Sequence, residues 1–137
     1  MAARVAAYAR PAGAAVEAEM ASLAGVSEDL QAAPADRKLT DPAAAQASVA
    51  ETGIDALAVN IGQVHLHGRG QVGLDLQRLW ELARLPVPLV LHGAASVARA
   101  DLAAAAREGI RKINVGSILK RNFFEAMRRS ANAAGER

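Results

Sequence analysis

Pro88-Leu89-Val90-Leu91-His92-Gly93-Ala94-Ala95-Ser96 is the stretch whose reading decides the fold. Leu89 to Leu91 is continuously hydrophobic, as in a strand buried on both faces of a parallel sheet. His92 stands where such a strand ends. Gly93 to Ser96 can form a tight loop, in which Ser96 is free to cap the helix that follows. A polar residue at the carboxyl end of a buried parallel strand is where α/β enzymes keep their chemistry. His92 therefore gains meaning only if other strands deliver partners to the same end.

Working outward, strand and helix textures alternate. Upstream, Leu74–Leu85 reads as an amphipathic helix, with Leu76, Leu79, Trp80 and Leu82 on the 3.6-residue period. Before it lies a polar loop, Gln63 to Gly73, carrying His65, His67 and Arg69. Asp55 to Gly62 is an apolar strand ending in glycine. Asp41-Pro42 opens a helix over residues 43–52, with Asp41 as N-cap, Pro42 at its first position and Gly53 at its end. Residues 21–40 hold few large apolar side chains, and a connection that long is usually functional or disordered. Ala15 to Met20 alternates apolar and acidic, a strand pattern, and residues 2–10 form a helix stopped by Pro11-Ala12-Gly13. Downstream of the opening stretch, residues 97–108 form an alanine-rich helix closed by Gly109. Lys112 to Ser117 is a last strand and turn, Ile118–Arg129 a final helix, and residues 131–137 a frayed tail.

A helix followed by four strand–helix units implies a parallel sheet with right-handed crossovers. All strands then point one way, and Glu19, His65, His92 and Asn114 fall at or just beyond one end of the sheet. Neutral imidazoles and a carboxylate gathered there suit Zn²⁺, whose catalytic sites keep an open position. The plain alternative is a loop histidine and a hydrogen-bonded strand end. The turns at Gly93–Ser96 and Asn114–Ser117 each precede a helix, where backbone N–H groups bind phosphate; ordinary capping is the equal alternative. Glu17 shares strand parity with Glu19 and is expected to support the site from behind, or to pair with a base such as Lys112.

The totals agree with one modest α/β domain. At 137 residues the chain supports one core but not a complete eight-fold barrel, which takes about 250 residues. Hydrophobic residues reach 52% through alanine, and no apolar run approaches the roughly 18 residues of a membrane span. The N-terminus lacks a continuous apolar core, so no signal peptide is expected. The absence of cysteine excludes a disulfide scaffold and thiolate metal sites, and fits a cytoplasmic protein. A net charge of +2 with scattered basic residues and 3% aromatics does not make a nucleic-acid surface.

Four segments together carry a resemblance: Val16-Glu17-Ala18-Glu19, Asp55 through His65, Leu89-Val90-Leu91-His92-Gly93, and Lys112-Ile113-Asn114-Val115. In order and spacing, from Val5 to Met127, they resemble the C-terminal half of the class II fructose-bisphosphate (ketose-bisphosphate) aldolase family. The resemblance implies a partial TIM (β/α)8 barrel over residues 1–130, four parallel strand–helix units. It implies zinc-dependent cleavage or formation of a ketose bisphosphate through dihydroxyacetone phosphate. It assigns His65, His92 and Glu19 to the metal, and Gly93, Ser96, Asn114 and Ser117 to the phosphorylated substrate, with Arg69 supplying charge. A monovalent cation near the phosphate is part of the same expectation. Glu28, in the long loop, matches the acidic proton donor found in part of the family.

Three departures shape the expectation. The family's N-terminal half normally brings an adjacent aspartate and histidine, and no Asp-His pair occurs in this chain. The residue after His65 is Leu66 rather than glycine, with His67-Gly68-Arg69 following. The usual Gly-Gly-Ser is replaced by Gly93-Ala94-Ala95-Ser96, which moves the serine by one position. A non-catalytic remnant or subunit that keeps a metal or phosphate pocket is therefore the rival reading. A Schiff-base lysine at Lys112 is a third, against a plain ion-pair role for that residue. An open half-barrel exposes two strand edges and an apolar inner face. It is expected to need a second copy of itself or a separate N-terminal half-barrel.

Overall fold

The computed structural model describes residues 1–26, 38–66 and 70–135. Four parallel strands form the main sheet: β1 (Glu17–Glu19), β3 (Ala56–Val59), β5 (Leu89–Leu91) and β6 (Ile110–Ile113), side by side in that order. A second, two-stranded parallel pair, β2 (Gly25–Val26) with β4 (His65–Leu66), sits inside the two stretches read as loops. Each is only two residues long, too short for a hydrophobic period to show.

The helices follow their local signals. α1 (Ala2–Ala9) runs into a 3₁₀ turn at Arg10–Ala12, and Gly13 at φ 68° ends it. α2 (Pro42–Thr52) is capped by Asp41, whose Oδ2 accepts from the Ala44 N–H at 2.8 Å. α3 (Leu76–Leu82) is shorter than its apolar period suggested, because Asp75 caps it and Leu82 to Pro86 turns away. Trp80 of α3 is 54% exposed, with the Arg84 guanidinium 3.8 Å from its ring centre. α4 (Arg99–Glu108) starts later than expected, after a 3₁₀ turn at Ala94–Ser96. α5 (Ser117–Gly135) continues helical through most of the residues read as a frayed tail. Among the described residues, no helix is long and apolar enough to cross a membrane.

The two faces of the sheet differ sharply, as strand alternation requires. Leu57, Val59, Leu89 and Leu91 point one way and pack with Val49, Leu79, Leu82 and Ala105 from the helices into one core. The opposite face carries Glu17, Glu19, Ala58, Val90 and Lys112, with His92 and Asn114 just beyond the strand ends. An apolar inner face was the expectation, and the structure corrects it. Ala58 and Val90 lie in register between Glu19 on β1 and Lys112 on β6, yet are only 1% and 0% exposed. A chain of polar contacts crosses above them. Lys112 Nζ donates to Glu17 Oε2 at 2.7 Å, and His92 Nε2 meets Glu17 Oε1 at 2.8 Å.

That contact measures the curvature. β1 and β6 are the two edges of the sheet. Three strand spacings on a flat sheet would separate them by about 14 Å, beyond what a lysine and a glutamate span comfortably. The sheet must curl for the side chains to meet, with Glu17 and Lys112 on its concave side. On the outside of α5, Leu119, Phe123, Phe124 and Met127 are each more than half exposed.

Candidate functional site

The polar site grows from the loops at the carboxyl ends of β3, β5 and β6. After β3 the chain enters Asn60-Ile61-Gly62-Gln63-Val64, whose side chains are all buried. Two of them are polar and fully used. The Asn60 amide donates to the Lys38 carbonyl at 2.9 Å and accepts from the Gly62 N–H at 3.0 Å. Gln63 accepts from the Ile61 N–H at 3.0 Å and donates to the Val59 carbonyl at 2.6 Å. Thr40 closes the group, its hydroxyl accepting from the Asn60 N–H at 2.8 Å. Among the described residues no buried side-chain polar atom is left without a partner, so this loop is held rigidly. It delivers His65, whose N–H donates to the Ala24 carbonyl at 2.9 Å.

The loop after β5 is locked to the loop before His65. Gly93 adopts φ +65°, and a Cβ there would lie 2.5 Å from the Val64 carbonyl oxygen; only glycine fits. Ser96, fully buried, accepts from the Val64 N–H at 3.1 Å and donates to the Gly93 carbonyl at 2.9 Å. One expectation for Ser96 is thereby corrected. The N-cap of α4 is Ala98, so Ser96 does not cap it. Its hydroxyl is buried and engaged by the Val64 N–H and the Gly93 carbonyl.

Five of the residues singled out from sequence line one cleft of about 280 Å³: His65, His92, Gly93, Asn114 and Ser117. Asn114 is held by its N–H, which donates to the Leu91 carbonyl at 2.9 Å. Ser117 opens α5, so the first N–H groups of a 19-residue helix sit at the cleft wall. Glu19, the last residue of β1, places Oε1 at 3.9 Å from His92 Nδ1, an ion-pair distance too long for a hydrogen bond. Glu28 and Arg69 lie outside the described residues. Among the described residues, no three His, Asp or Glu side chains are grouped to hold one metal ion.

The expected pairing of Glu17 with Lys112 is present, and Glu17 also takes His92. Burial alone would raise the Glu17 carboxyl. The hydrogen bonds from Lys112 and His92 and the charge beside it outweigh that, and hold the group below the ordinary glutamate value of 4.5. Lys112, engaged in this ion pair, is explained without a Schiff-base role.

A strand-end histidine, a cleft at the loops that follow the strands and four parallel strand–helix units define part of a parallel α/β barrel with its site at the strands' carboxyl ends. The comparisons agree. Residues 1–137 match the family described as fructose-bisphosphate aldolase class-II, and the chain belongs to that family. It is 30% identical to the YdjI aldolase from Escherichia coli K12, with a TM-score of 0.75, covering 96% of this chain and 43% of that one. A putative fructose-1,6-bisphosphate aldolase from Coccidioides immitis gives 29% identity and a TM-score of 0.74, covering 93% of this chain and 46% of that one. The chain thus spans less than half the length of either relative.

Two predictions follow from this geometry. Ser96→Ala strands the buried Val64 N–H and lowers stability by about 1–3 kcal/mol, measurable in urea melts. Glu17 loses its proton more readily folded than unfolded. Its contribution to stability is therefore present above about pH 4.5 and is lost as pH falls through the lowered folded value. Melts of wild type and Glu17→Gln in chelator should differ most at neutral pH and converge in acid. A gap constant through the acid range would mean that the ion pair contributes nothing.

Proposed function

We propose that this chain supplies half of the active site of a zinc-dependent aldolase, a carbon–carbon lyase acting on a phosphorylated ketose. The observation that carries the reading is the convergence of His65, His92, Asn114 and Ser117 on one cleft, with Glu19 beside the free edge of the His92 ring. Family membership supports the reaction class.

The residues fit zinc in kind, and in number only in part. His92 offers Nδ1 toward Glu19 because its Nε2 is occupied by Glu17. A ligating histidine held through its other nitrogen by a carboxylate is the usual arrangement at metal sites. His65 borders the same cleft. A further ligand has to come from outside the described residues. The metal, when bound, acts as a Lewis acid toward a ketone oxygen.

The chain's own residues do the positioning. Ser117 and the first N–H groups of α5 bind a phosphate dianion, with Arg69 adding charge and a monovalent cation balancing the site. Gly93 lets the backbone come close to that group. Asn114 lines the same cleft as His92 and Ser117, and its amide is proposed to hold a hydroxyl or carbonyl oxygen of a bound dihydroxyacetone phosphate moiety. Glu28 is the proposed proton donor at the aldehyde oxygen. The reading places the protein in the cytoplasm, with neither nucleic acid nor membrane as a partner.

The rival reading, a non-catalytic subunit that keeps a metal or phosphate pocket, is favoured by one feature: in these 137 residues no aspartate stands directly before a histidine to serve as acid and base. Both readings call for a partner, either a second copy or a complementary N-terminal half-barrel, to pair the edges β1 and β6. Purified protein should bind zinc, and His92→Ala should remove it. Unchanged zinc content in that variant defeats the metal assignment. Sedimentation should show self-association or, with a complementary half present, a heterodimer; a well-dispersed monomer that ignores such a half would defeat the partner assignment. Cleavage of a ketose bisphosphate only when that half is added selects the enzyme over the binding subunit.

A further inference from the structure

The geometry points to Glu17 as a positioning residue that fixes which nitrogen of His92 carries the hydrogen, with Lys112 as the residue that keeps Glu17 turned the right way. The purpose of this lock rests on the metal reading above; the lock itself can be tested without metal.

Each oxygen of Glu17 has one partner. Oε1 faces His92 Nε2 at 2.8 Å, and Oε2 faces Lys112 Nζ at 2.7 Å. A carboxylate can only accept, so the ring must donate from Nε2. A neutral imidazole then carries its lone pair on Nδ1, the nitrogen aimed toward Glu19 Oε1 at 3.9 Å. The Glu17 side chain is 25% exposed and that of His92 23%, so water competes weakly for this bond. Lys112 reaches it from the opposite edge of the sheet and pins the second oxygen. The carboxylate is thus held at both ends, and its plane is set by two strands that are not neighbours.

This arrangement gives Glu17→Gln an unusual consequence. A glutamine has one accepting oxygen and one donating NH₂. The Lys112 ammonium has only donors, so the amide oxygen turns to it. The NH₂ group then faces His92 Nε2, which must accept, and the ring hydrogen moves to Nδ1. An isosteric change that preserves packing therefore reverses the tautomer and blocks the nitrogen proposed for the metal. Removing Lys112 as well frees the amide to turn back, its oxygen again accepting from Nε2–H. The second substitution should repair the first.

The test is a set of four proteins: wild type, Glu17→Gln, Lys112→Met, and the double variant. The chain has three histidines, so the His92 ring signals are assigned by their loss in His92→Ala. In metal-free protein at a pH where the ring is neutral, ¹⁵N shifts should report Nε2–H in wild type. They should report Nδ1–H in Glu17→Gln and Nε2–H again in the double variant. Zinc affinity should fall at least about tenfold in Glu17→Gln and recover in the double variant to the Lys112→Met level. A wild-type ring protonated at Nδ1, or one tautomer common to all four proteins, overturns the inference. So does an affinity loss that deepens in the double variant, the result expected of simple structural damage. If wild type binds no zinc, the metal reading fails, and the tautomer pattern alone decides whether the lock is real.

Discussion

A single carboxylate, Glu17, ties the concave face of this sheet together. It lies on one edge strand and reaches a lysine on the other edge and a histidine at the end of the strand between. Such a contact is favoured when the sheet curls, as the strands of a barrel do. The same contact turns a surface that would otherwise be two small apolar residues, Ala58 and Val90, into a polar floor with a defined charge pattern. The site above that floor inherits its orientation from it. His92 is a strand-end histidine by sequence, but which edge of its ring faces the cleft is decided by a residue 75 positions away.

A second layer of order comes from buried amides and hydroxyls. Asn60, Gln63, Thr40 and Ser96 are buried and bonded to backbone groups, both of their own loops and of neighbouring ones. In a low-dielectric setting an unpaired member of such a group would be costly, so the loop has few alternative conformations. A hydrophobic core holds the helices to the outer face. The loops that carry the chemistry are held by hydrogen bonds, which are directional and so fix position more sharply than apolar packing does.

The fold was legible because its signals are local and repeated. Asp41-Pro42 starts α2, Gly53 ends it, and the apolar runs before Asn60 and His92 are buried strands. The site was legible as far as strand direction carries. Parallel strands put polar ends together, and five of the residues singled out do line one cleft. Ser96 shows where that reasoning stops. A serine after a glycine turn can cap, bind anions or brace a neighbouring loop, and only the third option satisfies the Val64 N–H, which lies 32 residues away in sequence. The β2–β4 pair was missed for a related reason: two-residue strands have no period, and their pairing is set by the loops they join. The Glu17–Lys112 pair was legible from strand parity, but its joining to His92 in one polar chain across the inner face was not, because that depends on how side chains from three strands meet.

The close approach of Gly93 to the Val64 carbonyl, with the Ser96 bond beside it, welds the two histidine-bearing loops into one piece. A shift of one loop's backbone is therefore passed to the other, whereas the side chains that merely line the cleft, such as Ala94, Ala95 and Val115, can change without disturbing that joint.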